Sequence, residues 1–116
     1  MSARLLGPVT DADLRRWQRQ RLDLLVELVK FGEDRKLTPL SWTLSVHSLV
    51  GQATGHANEE KHAAFEAWTT ALELARWGEH HHNTGRIHLH AAARDLWGRG
   101  VGVTVVADVW DVDPAD

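Results

Sequence analysis

The segment GRIHLHAAARDLWGRGVGVTVVADVW, residues 85–110, decides the fold of this chain. In its first half Ile87 and Leu89 alternate with His88 and His90, and in its second half valines recur at every other position. Side chains of a β-strand point alternately to opposite faces, so this pattern predicts two strands that each bury one face. A Gly-Arg-Gly sequence between the two halves supplies a turn, since glycine accepts a positive φ. We therefore predict a β-hairpin with one apolar face.

Two registers of this hairpin keep the apolar residues on one face. A three-residue loop at 98–100 places His90 opposite Asp108 and His88 opposite Trp110. A loop centred one residue earlier places His88 opposite Asp108 instead. In both registers the imidazoles and the carboxylate share the second face of the sheet, provided that no bulge near the loop shifts the parity.

This second face is a candidate site for a divalent metal ion. A His-x-His pair on a strand, here His88 and His90, points both rings the same way, and Asp108 and His47 are further candidate ligands. The alternative interpretation is a polar, solvated sheet face on which histidine is a tolerated strand residue. We interpret the histidine triplet at 80–82 as a loop tract that binds nickel or zinc adventitiously. Apart from such a metal, no cofactor is predicted.

The rest of the chain alternates between helical and strand patterns. Thr10 begins a capping box with Asp13, and apolar residues recur at helical spacing until Gly32. Asn58 is the expected N-cap of a second helix with an acidic first turn. The predicted elements are, in chain order, a helix at about 11–31, a half-buried strand at 40–50, a loop at 51–55, a helix from 58 to a stop at Gly78, a polar loop at 79–85 and the hairpin.

This order, α-β-α-β-β, predicts an α+β fold in a single domain that covers residues 1–116, with residues 1–9 as a loose arm. We expect a two-layer sandwich in which a three-stranded, mainly antiparallel sheet carries both helices on one face. The valine-rich strand at 101–110 is then a candidate sheet edge, and an exposed apolar edge is usually covered or paired. The pattern therefore favours a homodimer.

Composition excludes several classes of protein. The 116 residues carry a net charge of −3, with eight histidines and no cysteine, so disulfides, thiolate nucleophiles and cysteine metal sites are excluded. No apolar run approaches the roughly 20 residues that cross a bilayer, and the first residues lack the apolar region of a signal peptide. A cytoplasmic protein is expected. No nucleotide-binding loop or nucleophile turn occurs, so no catalytic residue is predicted.

The first helix is the second candidate surface. Arg15, Arg16 and Arg19 cluster in its first half and would contact phosphates in a nucleic-acid-binding protein. Interspersed aspartates and the lack of a helix-turn-helix pattern favour a solvated helix face instead. Apolar residues spread widely around the helix, as expected when a sheet buries one side and a partner another. Together with Trp17 and Trp110, these arginines are the candidate contacts for a protein partner.

Three segments carry a resemblance to known proteins: LTPLSWTL followed by LVGQATG, the helix AAFEAWTTAL, and the hairpin GRIHLHA…VGVTVVADV. Over about residues 10–110 the chain resembles small, mostly uncharacterised α+β proteins encoded in actinobacterial and actinophage genomes. The resemblance implies a cytoplasmic accessory or interaction protein rather than a housekeeping enzyme, and it implies no functional residue. We therefore expect a non-enzymatic module that binds an unidentified macromolecular partner. Metal or small-ligand binding and association with nucleic acid are the alternatives.

Overall fold

The computed structural model describes residues 8–45, 48–55, 57–82 and 84–110. A short 3₁₀ turn, Leu96–Gly98, connects the last two strands. The α+β class and the two helices are as the sequence predicts, and neither helix in these ranges is long and apolar enough to cross a membrane. The elements are, in chain order, α1 (Asp11–Asp34), β1 (Ser41–Leu44), β2 (Ser48–Gln52), α2 (Asn58–Ala71), β3 (Ala75–Arg76), β4 (His80–His81), β5 (Arg86–Ala93) and β6 (Gly102–Trp110).

Within the described ranges the sheet is mixed and has six strands, so the prediction of three strands is wrong. Its order is β1-β2-β6-β5-β3, and β4 also pairs with β5. Among the described strands, β2 and β6 run parallel and the other pairs are antiparallel. The additional strands have two origins. The single strand expected at 40–50 is the hairpin of β1 and β2, and β3 and β4 form where the sequence predicts a helix end and a polar loop.

Two serines close the hairpin of β1 and β2. Ser45 donates its backbone N–H to the carbonyl of Ser48 at 2.9 Å, and its hydroxyl donates to the same carbonyl at 2.8 Å. Such side-chain bonds to the backbone compete with the ladder of an extended strand. β2 then continues through Gly51, where the sequence predicts a loop. A glycine is needed there because a Cβ would lie 2.8 Å from the ring of Trp42.

β6 is a central strand, which corrects the prediction that residues 101–110 form a sheet edge. It pairs with β2 along one side and with β5 along the other. The hydrogen-bonding groups on both sides of this valine-rich strand are therefore occupied. Strand addition at β6 consequently provides no argument for a homodimer, and the outer strands are β1 and the short β3 and β4.

The hairpin of β5 and β6 has the register in which His88 lies opposite Asp108, rather than the one that pairs His90 with Asp108. Odd-numbered residues pair with odd-numbered residues across the two strands, and even-numbered with even-numbered, as predicted. The connection is longer than three residues and includes the 3₁₀ turn, in which Trp97 has a φ of 55° and Gly98 a φ of 72°. The connection is therefore not the three-residue loop at 98–100, and the hairpin is centred one residue earlier.

One hydrophobic core lies between the helices and one face of the sheet. Leu24 and Leu28 of α1, Trp68 of α2, and Val103 and Val105 of β6 are almost or completely inaccessible to solvent. Alternation along the strands explains the arrangement, because the odd-numbered residues of β5 and β6 face the helices. The even-numbered residues are half-exposed or exposed. The histidines of β5 therefore lie on the face of the sheet that is directed away from the core.

The beginning of α1 is as predicted and its end is not. Thr10 and Asp13 form the capping box, with the Asp13 N–H donating to the Thr10 hydroxyl at 3.2 Å. The helix passes through Gly32 and ends two residues later. Lys36 follows in the left-handed conformation, with a φ of 57°, and Leu37 donates its N–H to the carbonyl of Gly32 at 2.9 Å. Gly32 is therefore a packing residue inside the helix, not its stop signal.

α2 differs from the prediction at both ends. Its N-cap is Ala57, which provides no side-chain hydrogen bond, and the predicted cap Asn58 bonds instead to the backbone of Trp110. The helix ends at residue 71, well before Gly78. Glu73, with a φ of 56°, makes the left-handed turn that ends it. Because α2 ends early, residues 75–81 are outside the helix and pair with β5 at the edge of the sheet.

β3 and β4 are two pieces of one edge strand that a bulge separates. Three residues, 77–79, lie opposite only two residues of β5, 89–90. Within the bulge Trp77 donates its backbone N–H to the carbonyl of His90 at 2.8 Å. A short, bulged edge strand resists pairing with another sheet. Further strand addition at this edge is therefore disfavoured.

Candidate functional site

The outward face of the sheet gathers four histidines, which we call the histidine face: His80, His82, His88 and His90, together with Arg86 and Asp108. Pairing of β4 with β5 places His80 beside His88. The imidazoles of His80 and His82 lie 4.9 Å apart between ring centroids. The triplet at 80–82 is therefore part of this face, which the interpretation as a separate loop tract missed. Its H-x-H spacing, the same as that of the predicted pair on β5, is the signal that could have shown it.

His88 and Asp108 form a cross-strand hydrogen bond at the centre of the histidine face. Nδ1 of His88 lies 3.0 Å from Oδ1 of Asp108, and both side chains are about two-thirds buried. Nε of Arg86 lies 3.9 Å from the same carboxylate oxygen. The carboxylate is thus shared by an imidazole and a guanidinium, and Nδ1 of His88 is occupied by the pair.

His90 packs against an exposed tryptophan rather than beside the carboxylate. The indole of Trp77 stacks on the His90 ring with centroids 4.3 Å apart and planes 24° apart. Partial burial lowers the pKa of His90, and the neighbouring His88 lowers it further. Partial burial also lowers the pKa of His82, with Arg86 adding to the effect. Two of the four imidazoles on this face therefore favour the neutral form.

The predicted metal ligands share a face without forming a coordination set. Within the described ranges, no group of three histidine, aspartate or glutamate side chains is placed to hold a metal ion. His88 is paired with Asp108, and His90 is turned to Trp77. His47, the fourth candidate ligand, lies outside the described residues. Metal binding by these residues stays a prediction.

The second candidate surface is the side of α1 that points away from the core. Leu22, Val26 and Val29 are 46%, 45% and 44% exposed, respectively. Their spacing of four and three residues places them on one line along the helix, which we call the outer stripe. Leu24 and Leu28, on the opposite side of the same helix, are fully buried. Among the described residues, α1 therefore has a second apolar line that is about half exposed and that borders β1, since Leu22 lines a depression with Leu44 and Val29 lines one with Trp42.

The outer stripe is bordered by basic side chains at its N-terminal end. Arg15 and Arg19 line a shallow depression together with Leu22 and Leu44, a residue of β1 that is itself exposed. Glu33, which is exposed, follows the stripe at its C-terminal end. The stripe therefore lies between a positive and a negative end.

The predicted partner contacts do not form one surface. Arg15 and Arg19 are exposed next to the outer stripe, whereas Arg16 forms an ion pair with Asp13 at 2.9 Å. Trp17 is half-buried, on the inner side of the helix. Trp110 lies at the far end of β6, which begins beside β2 near α1. The arginines and Trp110 would therefore contact different partners or different parts of one partner.

No protein-family model matches this chain, and no curated protein and no solved structure matches it either. The resemblance to small α+β proteins of actinobacterial and actinophage genomes stays a prediction. A function for this protein is accordingly argued from the geometry of its own surfaces.

Proposed function

We propose that the protein is an interaction module that self-associates through α1, with the outer stripe of one copy packed against the outer stripe of a second. The observation that carries this proposal is the second apolar line on a helix whose first apolar side already lies in the core. Surface helices of a globular protein ordinarily carry charged and polar residues on the side opposite the core. Here three aliphatic residues, Leu22, Val26 and Val29, lie exposed among the charged residues of α1.

The stripe has the length and composition of a helix-pairing seam. Three aliphatic residues at positions i, i+4 and i+7 cover about two turns, and half-buried Leu25 borders them. Burying an aliphatic side chain completely stabilises a complex by about 1.5–3 kcal/mol. Each of the three already has about half of its surface covered, so the gain for each is smaller, and the two copies together contribute six such residues. Leu44 extends the apolar area toward β1.

The charges at the two ends of the stripe favour an antiparallel pair. A two-fold axis close to Val26 places Arg19 of one copy next to Glu33 of the second. The same axis repeats the pairing on the other side, so both contacts are between opposite charges. A parallel pair would instead place the two Arg19 side chains together, which costs energy. An isologous dimer with this axis follows, in agreement with the prevalence of two-fold symmetry among homo-oligomers.

Sedimentation velocity over a range of protein concentrations tests self-association directly. We expect a dimer that dissociates on dilution, and we expect Val26→Glu to be monomeric, because it places a charge at the centre of the buried seam. Leu14→Glu is the matched control, since Leu14 is an exposed leucine of the same helix that lies about two turns before the stripe begins. A wild-type protein that is monomeric at all concentrations would contradict the proposal.

Charge reversal tests the antiparallel arrangement separately. Arg19→Glu and Glu33→Arg should each weaken the dimer, because each places like charges together. The double variant restores opposite charges and should recover most of the affinity, as a double-mutant cycle measures. Single variants that weaken the dimer without recovery in the double variant would overturn the antiparallel geometry and leave the α1 interface in place.

A further inference from the structure

A groove at the end of the sheet lies apart from both surfaces described above. It runs between the first turns of α2 and the ends of β5 and β6, and it has a volume of about 460 Å³. Pockets that bind small molecules have volumes of about 300–1,000 Å³. We call it the α2–β6 groove. Its lining residues are Asn58, Glu59, His62, Ala63, Glu79, Ile87, Leu89, Val109 and Trp110.

The floor of the groove is apolar because it is formed by side chains at the margin of the core. Ile87 and Val109 are cross-strand neighbours, and Leu89 follows Ile87 on the same face. Farther along β5 and β6, the equivalent residues are covered by the buried side chains of α2. At this end the helix has only begun. The floor is therefore the outer margin of the core, where Ile87 is half-buried and Leu89 and Val109 are 5% and 6% exposed.

One side of the groove is held in place by a tertiary clamp. The Asn58 side chain accepts a hydrogen bond from the backbone N–H of Trp110 and donates one to its carbonyl, each at 3.1 Å. These two bonds join the first residue of α2 to the last residue of β6. Trp110, which is 42% exposed, lines the groove at the end of β6. This wall is thus built into the folded protein, and pre-formed walls reduce the cost of binding.

Carboxylates outnumber basic groups in the lining of the groove. Two carboxylates, Glu59 and Glu79, line it together with the imidazole of His62, and the described lining residues include no lysine or arginine. Oε2 of Glu79 also lies 3.1 Å from Nε2 of His81, an exposed contact outside the lining. The N-terminus of α2 would favour an anion, but Glu59 and Glu60 already occupy its first turn. The face of an indole attracts cations electrostatically. An apolar floor, an indole and two carboxylates together suit a ligand that has a hydrocarbon body and a positive charge.

We infer that the α2–β6 groove binds organic cations of this kind, namely alkyl or arylalkyl ammonium groups. The hydrocarbon body lies on Ile87, Leu89 and Val109, and the ammonium group lies between Glu59, Glu79 and the Trp110 indole. The inference does not depend on self-association, since no residue of the outer stripe lines the groove.

Isothermal titration calorimetry with three probes of the same shape tests this inference on the full chain. The probes are 3-phenylpropylammonium, 3-phenylpropionate and 3-phenylpropan-1-ol. We expect the ammonium compound to bind most tightly, the alcohol more weakly and the carboxylate most weakly. Equal affinities for the ammonium and carboxylate probes, or no detectable binding of the ammonium probe at millimolar concentration, would overturn the inference.

Neutralising the carboxylates identifies the site. Glu59→Gln and Glu79→Gln should each weaken the ammonium probe about threefold to fivefold, the effect of a partly exposed charge, and should leave the alcohol unchanged. Glu73→Gln, an exposed glutamate beyond the C-terminal end of α2, is the matched control and should have no effect. Circular dichroism confirms that each variant is folded. Binding that is unchanged in both groove variants would place the probe elsewhere and overturn the assignment.

Discussion

The indole of Trp68 lies so close to Gly32 that a Cβ on the glycine would be 2.7 Å from Cη2 of the ring. The ring is fixed in this position, because Nε1 donates to the carbonyl of Thr38 at 2.7 Å. Trp42 and Phe31 contact the same indole from two other directions, with centroids 5.7 and 6.2 Å away. The Trp68 indole therefore joins α2, α1 and the segment that leads into β1.

Gly32→Ala should destabilise the protein by about 1 kcal/mol, the difference between two opposing effects. In an exposed helix interior the change would stabilise by about 1 kcal/mol, whereas overpacking a core costs about 1–3 kcal/mol. Chemical denaturation measures the difference. Gly78→Ala is the control, since a Cβ there meets nothing within 4 Å. A Gly32→Ala protein at least as stable as the wild type would show that Trp68 moves aside freely.

Thr69→Val should stabilise the protein by about 1 kcal/mol. Thr69 is 1% exposed, and its hydroxyl oxygen has no hydrogen-bond partner among the described residues. Valine has nearly the same shape and a similar helix propensity, so the change mainly removes an unsatisfied polar atom. Thr70→Val, at an exposed position next to it, should change the unfolding free energy little, because its hydroxyl accepts only a long, exposed hydrogen bond from Arg76, at 3.4 Å. Destabilisation by Thr69→Val would mean that the hydroxyl does find a partner in solution.

The hairpin shows how much of this fold follows from local pattern. Period-two alternation identifies β5, β6 and their buried face, because the alternation itself records which side chains avoid water. The capping box at Thr10 likewise follows from residue types at fixed spacing. Both features depend on neighbours along the chain, which the sequence displays directly.

The features that the sequence does not show depend on residues distant in the chain. Gly32 has the position and type of a helix stop, and only the indole of Trp68 explains why the helix continues through it. Asn58 has the type of an N-cap, but its amide is used by Trp110, 52 residues away. The split of the predicted strand and the central position of β6 likewise depend on pairings between distant segments. The histidine face contains more histidines than predicted for the same reason, since the pairing of β4 with β5 places His80 on it.

Acidification should destabilise the protein through the histidine face. The pKa values of His90 and His82 are lowered in the folded state, primarily by partial burial. The unfolded chain, with a histidine pKa of about 6.5, therefore binds more protons than the folded chain as the pH falls below that value. The full contribution to stability is present above about pH 6.5 and is lost as the pH falls through the lowered pKa values.

Denaturation at a series of pH values, with wild type and His90→Gln compared at one protein concentration, tests this expectation. The variant should lose less stability than the wild type between pH 7 and pH 5. The difference should be less than about 1 kcal/mol, because the His90 ring is partly solvated and its interactions are screened. Equal pH dependence in the two proteins, or greater stability at the lower pH, would show that His90 does not titrate as its surroundings indicate.

Removal of the two β5 histidines should leave the native metal content of the protein unchanged. Nδ1 of His88 is bonded to Asp108, whose carboxylate also faces Arg86, and the His90 ring is stacked on Trp77. A divalent ion that used the Asp108 carboxylate would first have to displace the His88 imidazole and the Arg86 guanidinium from it. Zinc sites need three or four ligands at about 2 Å, and neither pair offers that geometry.

Elemental analysis of the wild type and of the His88→Ala/His90→Ala variant, both purified without a nickel column, measures this directly. We expect less than stoichiometric zinc, nickel and manganese in both proteins. His80→Ala/His82→Ala serves as a second comparison, because the rings of His80 and His82 lie on the same face outside both pairs. One equivalent of metal in the wild type that is lost from the first variant would establish the metal site that the His-x-His pattern predicts. In that case the bond between His88 and Asp108 would orient a metal ligand, as carboxylates do for histidines in many zinc sites.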